Sequence, residues 1–508
     1  MGKTNISGRI FDRFIRIVEK GGNALPHPAA LFAILGLATL LLSSVGAFLG
    51  WHGINPANGE TIRVINLIST EGLHRIMLKM VDNYTGFAPL GIVMVAMLGI
   101  GIAESSGLVR AAINALLLRA PRRSVTFMIV FTGILSNVAS DLGYLLIIPM
   151  AGVIFHSIGR HPIAGMSAAF AGVSGGFSAN LFIGTIDPLL AGLSTEAAHI
   201  IEPGYYVMPT ANYYFMAVST FVIAITGTWV TNSWVEPRLG KYTGNVAMEP
   251  VSNLTAAEKK GLRMVLLVMA VWTVIIAAGL IPDHGFLRGE DNSVLHSPLL
   301  KGFIAFLFLM AASCGIVYGY TAGTFRKHGD VINGMNNSFK SLVSFLVLVF
   351  FASQFVAWFK WSNLGLIIAV KGAGVLQAMD LGLISLVILF IFFSGFINLF
   401  MGSASAKWAI MGPVFIPVFM LLGYSPELSQ AVFRIGDSVT NVISPMMSFF
   451  ALIIVYFEKY EPKTGLGTLI GNMMPYSIAF FIVWTLLMIV WIMLKLPLGP
   501  EAGLFYPR

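Results

Sequence analysis

Apolar stretches long enough to cross a hydrocarbon core of roughly 30 Å recur along almost the whole chain, and this feature restricts the fold more than any other. Lipid offers no hydrogen-bond partner to a peptide group, so every N–H and C=O facing it must be satisfied within the chain. The spans must therefore be helical. With 56% hydrophobic and 11% charged residues, the sequence predicts an all-α polytopic membrane protein and excludes a soluble enzyme.

Spans read most clearly at residues 28–49, 87–103, 124–135, 212–234, 264–281, 300–320, 342–358, 381–400 and 468–494, about nine crossings. Lys and Arg mark the cytoplasmic side. Arg110, Arg119, Arg122 and Arg123 fall in one connection, and Arg238, Lys241, Lys259, Lys260 and Arg263 in another. Residues 1–27, with Lys3, Arg9, Arg13, Arg16 and Lys20, are expected to form a retained, cytoplasmic amphipathic lead-in. A first transmembrane half over 28–237 holds a site region at 124–198. A cytoplasmic linker, 238–263, joins it to a second half over 264–495 with a site region at 394–450, and 496–508 form a tail. The expected location is a bacterial inner membrane, crossed many times. The +8 net charge fits cytoplasmic loops better than a nucleic-acid partner.

Several chemistries lack residues. One cysteine, Cys314, permits neither an intramolecular disulfide nor a multi-cysteine metal site. His156 and His161 flank Arg160 without metal-ligand spacing, and no GxxxxGKS/T phosphate loop is present. Neither a nucleophile–base pair nor an organic cofactor is expected, so an ion gradient must supply the energy.

Two regions are apolar yet broken by Gly, Pro, Asn, Ser and ionisable residues: 136–193 and 398–450. Interrupted helices and re-entrant hairpins of this kind gather at the substrate sites of secondary transporters. Pro149, Gly159, Pro162 and Gly172 recur with unchanged spacing as Pro413, Gly423, Pro426 and Gly436. An odd number of crossings between the copies predicts an inverted repeat, with the site at its midplane.

Ionisable residues at membrane depth persist mainly where they work or are paired. Asp141, Asp187, Arg434 and Asp437 qualify. Arg434 and Asp437, three apart, share a helical face, and the plainer reading is a salt bridge that fixes the helix. Asp437, Asn441 and the turn at Asn398 offer the oxygens a hard cation such as Na⁺ wants, whereas a proton needs one buried carboxylate. Both couplings stay open. Arg434 suits a solute carboxylate and Trp408 an aromatic ring, although Trp408 also fits an interfacial anchor. Ser136, Asn137, Ser140 and Asp141 form the first-half counterpart, or else an N-cap box.

The segments GNALPHP (22–28), EGLHRIM (71–77), GRHPIAG (159–165), GTIDPLLAGLSTEAA (184–198), GSASAKW (402–408) and FRIGDSVTNVISPMM (433–447) resemble the p-aminobenzoyl-glutamate transporter (AbgT) family almost end to end. The resemblance implies a homodimer whose subunits have about nine membrane helices and two opposed hairpins, in an ion-transporter-like fold. It also implies uptake of the folate breakdown product p-aminobenzoyl-glutamate, or proton-motive-force-driven export of sulfonamide antimetabolites. GTIDPLLAG and RIGDSVTN look more like the exporter-type branch. Asp187, Asn398, Ser405, Trp408, Pro426, Arg434, Asp437 and Pro445 match the family's functional positions. The candidate solute site is then Asp187, Ser405, Trp408, Pro426, Arg434 and Pro445. The candidate coupling site is Asn398, Asp437, Asn441 and Asn137, with Asn398 and Asp437 as ligands should the ion be Na⁺.

Overall fold

The computed structural model describes residues 26–54, 61–118, 121, 123–139, 143–244, 246, 254–294, 297–462 and 464–506. Nearly all of the expected lead-in lies outside the described residues, as do Ser140, Asp141 and part of the linker.

Helices Pro28–Phe48, Ala88–Ser105, Val125–Leu135, Tyr213–Val230, Ala256–Leu280, Phe303–Ala322, His328–Trp361, Leu383–Asn398 and Leu466–Met493 cover the expected spans. Among the described residues, 8 helical stretches are long and apolar enough to cross a membrane. This set gains Ala404–Leu421 from an interrupted region, while Val125–Leu135 and Leu383–Asn398 are shorter. Both short helices stop where interrupted chain begins: the first runs into a tight 3₁₀ turn at Ser136–Ala139, the second ends at Asn398.

Large apolar side chains point outward, among them Leu37, Leu41, Leu266 and Val274, which suits hydrocarbon as the solvent. A two-stranded antiparallel ribbon pairs His52–Ile54 with Thr61–Arg63. Three-residue strands carry too little periodicity to be read from sequence.

The Gly/Pro repeat is one construction used twice. Helix Ile148–Ser157 turns at Gly159 (φ +79°) into Pro162–Phe170, and Ala404–Leu421 turns at Gly423 (φ +90°) into Pro426–Asn441. Both turns use the left-handed backbone that glycine adopts without a Cβ penalty. Each second helix opens on proline, which has no N–H to leave unpaired there. The preceding side chain accepts a backbone N–H in both: His161 Nδ1 from Ile163 (3.3 Å) and Ser425 Oγ from Leu428 (3.1 Å). Farther on, Gly172 abuts Val130 and Gly436 abuts Ile391; a Cβ would lie 2.4 and 2.3 Å from their carbonyl oxygens. Val125–Leu135 and Leu383–Asn398 are thus equivalent crossing helices, each admitted by one missing side chain.

Candidate functional site

The C-terminal end of Pro426–Asn441 meets the unwound segment between Gly175 and Ile186. Ser178 N–H donates to Ser438 Oγ (3.1 Å), and Asn441 Nδ2 donates to Ser174 O (3.3 Å). Open backbone survives at this depth because side chains from the other half satisfy it. The two expected site regions therefore converge.

Four buried ionisable groups form two ion pairs across this junction. Arg434 lies 2.7 Å from Asp187, on the first turn of helix Ile186–Ala198. Asp187 also accepts from Gly184 N–H (2.8 Å), and Arg434 Nη2 donates to Ser178 O (3.2 Å). Asp437 pairs instead with Lys407, whose ammonium also contacts Asn398 Oδ1. The expected Arg434–Asp437 bridge is therefore corrected. Shared helical face brings two side chains near each other, but each reaches a partner on a different element.

Asn398 ties this cluster together. Its Nδ2 points toward Asp437 O (2.7 Å), Asn441 Oδ1 (2.8 Å) and Thr440 Oγ1 (2.9 Å), three acceptors for two hydrogens. Ser444 Oγ caps its backbone carbonyl (3.0 Å). Asp437 Oδ1 is held by charge alone, without an aligned hydrogen bond, and Oδ2 has no partner among the described residues.

Beside the cluster lies a cavity of about 520 Å³, within the range of small-molecule sites. Phe177, Phe400, Tyr144 and Phe449 supply aromatic wall, with the last two stacked at 4.6 Å. Ser403, Ser405 and Asn441 supply polar edges. Ser403 also caps helix Ala404–Leu421, whose first N–H groups face this end. Asn441 belongs to both the cavity wall and the Asn398 network.

Other candidates do not line the cavity. Trp408 is wholly buried, stacked on Phe433 (4.5 Å), with Nε1 donating to Ser194 Oγ (2.8 Å). Ser194 in turn donates to Gln430 Oε1 (2.7 Å), and Gln430 Nε2 to Asn212 Oδ1 (2.8 Å). The interfacial-anchor reading of Trp408 is thereby corrected, because its indole has no contact with an outer surface. Pro426 starts the helix about 22 Å along its axis from Asn441. Pro445 lies in the turn just after it, and Asn137 donates to Ile134 O (3.1 Å) from the first half. Asn137 Oδ1 is buried and unpartnered among the described residues.

Sequence reasoning passed over Lys407, Ser194 and Gln430. Lys407 had a usable signal: a lone lysine between small residues and a long apolar run is an intramembrane charge needing a partner. Ser194 and Gln430 had none, since polar residues within a helix become a chain only through its neighbours.

Helices interrupted in two related regions, with buried ion pairs and a polar-edged cavity where they meet, are the build of a membrane transporter. The chain belongs to the AbgT putative transporter family, whose model matches residues 13–506. It is 38% identical over 492 residues to the p-aminobenzoyl-glutamate transport protein of Escherichia coli (strain K12), covering 97% of this chain and 96% of that relative. Among solved structures it is similar to Neisseria gonorrhoeae MtrF, of a class of antimetabolite efflux pumps (TM-score 0.91, 49% identity, 96% and 100% coverage). It is also similar to the Alcanivorax borkumensis YdaH transporter, of unusual topology (TM-score 0.89, 44% identity, 94% and 100% coverage).

Proposed function

We propose that this transporter is driven by a cation gradient and moves p-aminobenzoyl-glutamate and related aminobenzoate compounds across a bacterial inner membrane. The observation that carries this reading is the continuity between cavity and charges. Asn441 lines the cavity, accepts from Asn398, and Asn398 faces the ammonium that neutralises Asp437. A solute against Asn441 and a cation at Asp437 would thus act on the same side chains. The aromatic wall suits an aminobenzene ring, and the N–H groups of Ala404 and Ser405, ahead of those that Ser403 accepts at the start of Ala404–Leu421, suit a carboxylate. The E. coli relative's substrate supports this solute class.

A second reading, efflux of antimetabolites such as sulfonamides, is favoured by the 49% identity to MtrF. Both solutes share the ring, and imposed gradients set the direction. Dimerisation, a cytoplasmic N-terminus, two membrane re-entrant hairpins and the inverted relation of the halves belong to the same proposal.

The test is uptake of labelled p-aminobenzoyl-glutamate into proteoliposomes under a Na⁺ gradient or a pH gradient, with Asp437→Asn as control. Flux under one gradient, lost in the variant, is expected. Equal flux in Asp437→Asn would sink the coupling role, and no flux under either gradient would favour sulfonamides as solutes.

A further inference from the structure

The two buried ion pairs are tied down unequally. In the Arg434–Asp187 pair, both partners make further hydrogen bonds, to Ser178 O and Gly184 N–H. In the Lys407–Asp437 pair, among the described residues, the second carboxylate oxygen has no partner and the ammonium contacts Asp437 and the Asn398 amide oxygen. Those are the oxygens a hard cation would take. A lysine on a flexible four-carbon stem is a compact, tethered cation of single charge. It comes from helix Ala404–Leu421, whereas Asp437 lies on Pro426–Asn441, so the pair can part without unfolding either helix.

The repeat builds the corresponding crossing without this pair. In the register that aligns Pro149 with Pro413 and Gly172 with Gly436, Lys407 matches Gly143 and Asp437 matches Val173. Gly143 and Val173 do meet, with a Cβ on the glycine only 2.9 Å from Val173 Cγ1. The same crossing closes on the Val173 methyls and the Ser136 hydroxyl in one half and with opposite charges in the other.

We propose that Lys407 is a stand-in counter-ion: it neutralises Asp437 whenever no coupling cation is bound, so that the empty transporter can return across the membrane. The inference rests on the gradient-driven reading above. A cation arriving at Asp437 displaces the ammonium, which keeps its proton and turns on its flexible stem toward the cavity, where water or the carboxylate of an anionic solute offsets its charge. Leaving without one, Asp437 is matched again by Lys407, and no uncompensated carboxylate has to move through a low-dielectric interior. Lys407 thereby acts as a positioning residue for the transport cycle.

The test reads reorientation directly and uses no solute, so the wrong solute class cannot mask the result. Cys314→Ser removes the native thiol, and Ser448→Cys places a reporter at an exposed position on the cavity wall. Labelling by a membrane-impermeant maleimide is compared in right-side-out and inverted vesicles, without Na⁺ and at alkaline pH. With Lys407 present, labelling from both faces is expected. In Lys407→Met, one face should lose labelling by more than about a hundredfold, the scale set by a stranded buried charge. Added Na⁺ or acid should restore it. Lys407→Arg, and Lys407→Met combined with Asp437→Asn, should label from both faces like the parent. The double variant also keeps the test decisive if Lys407→Met alone fails to fold. Two-faced labelling of Lys407→Met at the parental rate, no restoration by either cation, or one-faced labelling of the parent or the double variant overturns the proposal.

Discussion

Substituting Asp187 by Asn strands Arg434 without its counter-charge inside the junction. At 2.7 Å and an effective dielectric constant of about 20, the direct attraction is about 6 kcal/mol. Desolvation of both groups offsets most of that while the pair is intact, but removing one partner leaves the other's burial uncompensated, at about 3–5 kcal/mol. Asparagine keeps an acceptor for Gly184 N–H, so the loss reports charge more than hydrogen bonding. Arg434→Gln is the reciprocal change, stranding Asp187. With both replaced, no buried charge is left unmatched. The double variant should therefore cost less than the sum of the singles by at least about 2 kcal/mol. Reversible unfolding in mixed micelles, followed by tryptophan fluorescence, gives the three free energies. Additive costs, or a cost below about 1 kcal/mol for Asp187→Asn, would refute the assignment of Asp187 as partner to Arg434.

Three further expectations use the same geometry. Trp408→Phe keeps the packing on Phe433 but removes the donor to Ser194, so it should cost about 1–2 kcal/mol in the same unfolding assay, and an unchanged midpoint would contradict the bond. Gly172→Ala and Gly436→Ala should each destabilise by more than about 2 kcal/mol, because a new Cβ would meet the rigid backbone of Val130 and Ile391; near-parental size-exclusion profiles after heating would count against the shared crossing. Asp330, outside the spans, is held below the ordinary carboxylate range first by the Arg326 and Lys327 backbone N–H groups. Its folded pKa is depressed, so its stabilisation is complete above the unfolded value of about 3.9 and is lost as pH falls through the folded value. Hydrogen exchange of peptides covering 326–334 should show the helix start opening below that range relative to Asp330→Ala, and identical profiles would argue against the cap.

The sequence alone determined the solvent, and with it the fold class. Unbroken apolar runs oblige helices because lipid cannot serve a peptide group, and such runs are visible without knowing what lies beside them. It also singled out the two interrupted regions that meet in the structure, since Pro, Gly and charge inside apolar chain are costly anywhere except where protein covers them. The repeat was legible for a related reason: a left-handed turn, a proline start and a close helix crossing each demand one residue type, so Gly159, Pro162 and Gly172 match Gly423, Pro426 and Gly436. Partnership was decided only by tertiary structure. Helical spacing puts Arg434 beside Asp437, yet a buried charge pairs with whichever opposite charge the packing brings within reach, and those were Asp187 and Lys407. Trp408, conspicuous in sequence as a ring-binding residue, is turned inward by Ser194, a residue on a helix far away in the chain. A periodic pattern records which face a residue occupies; it holds no information about what that face meets.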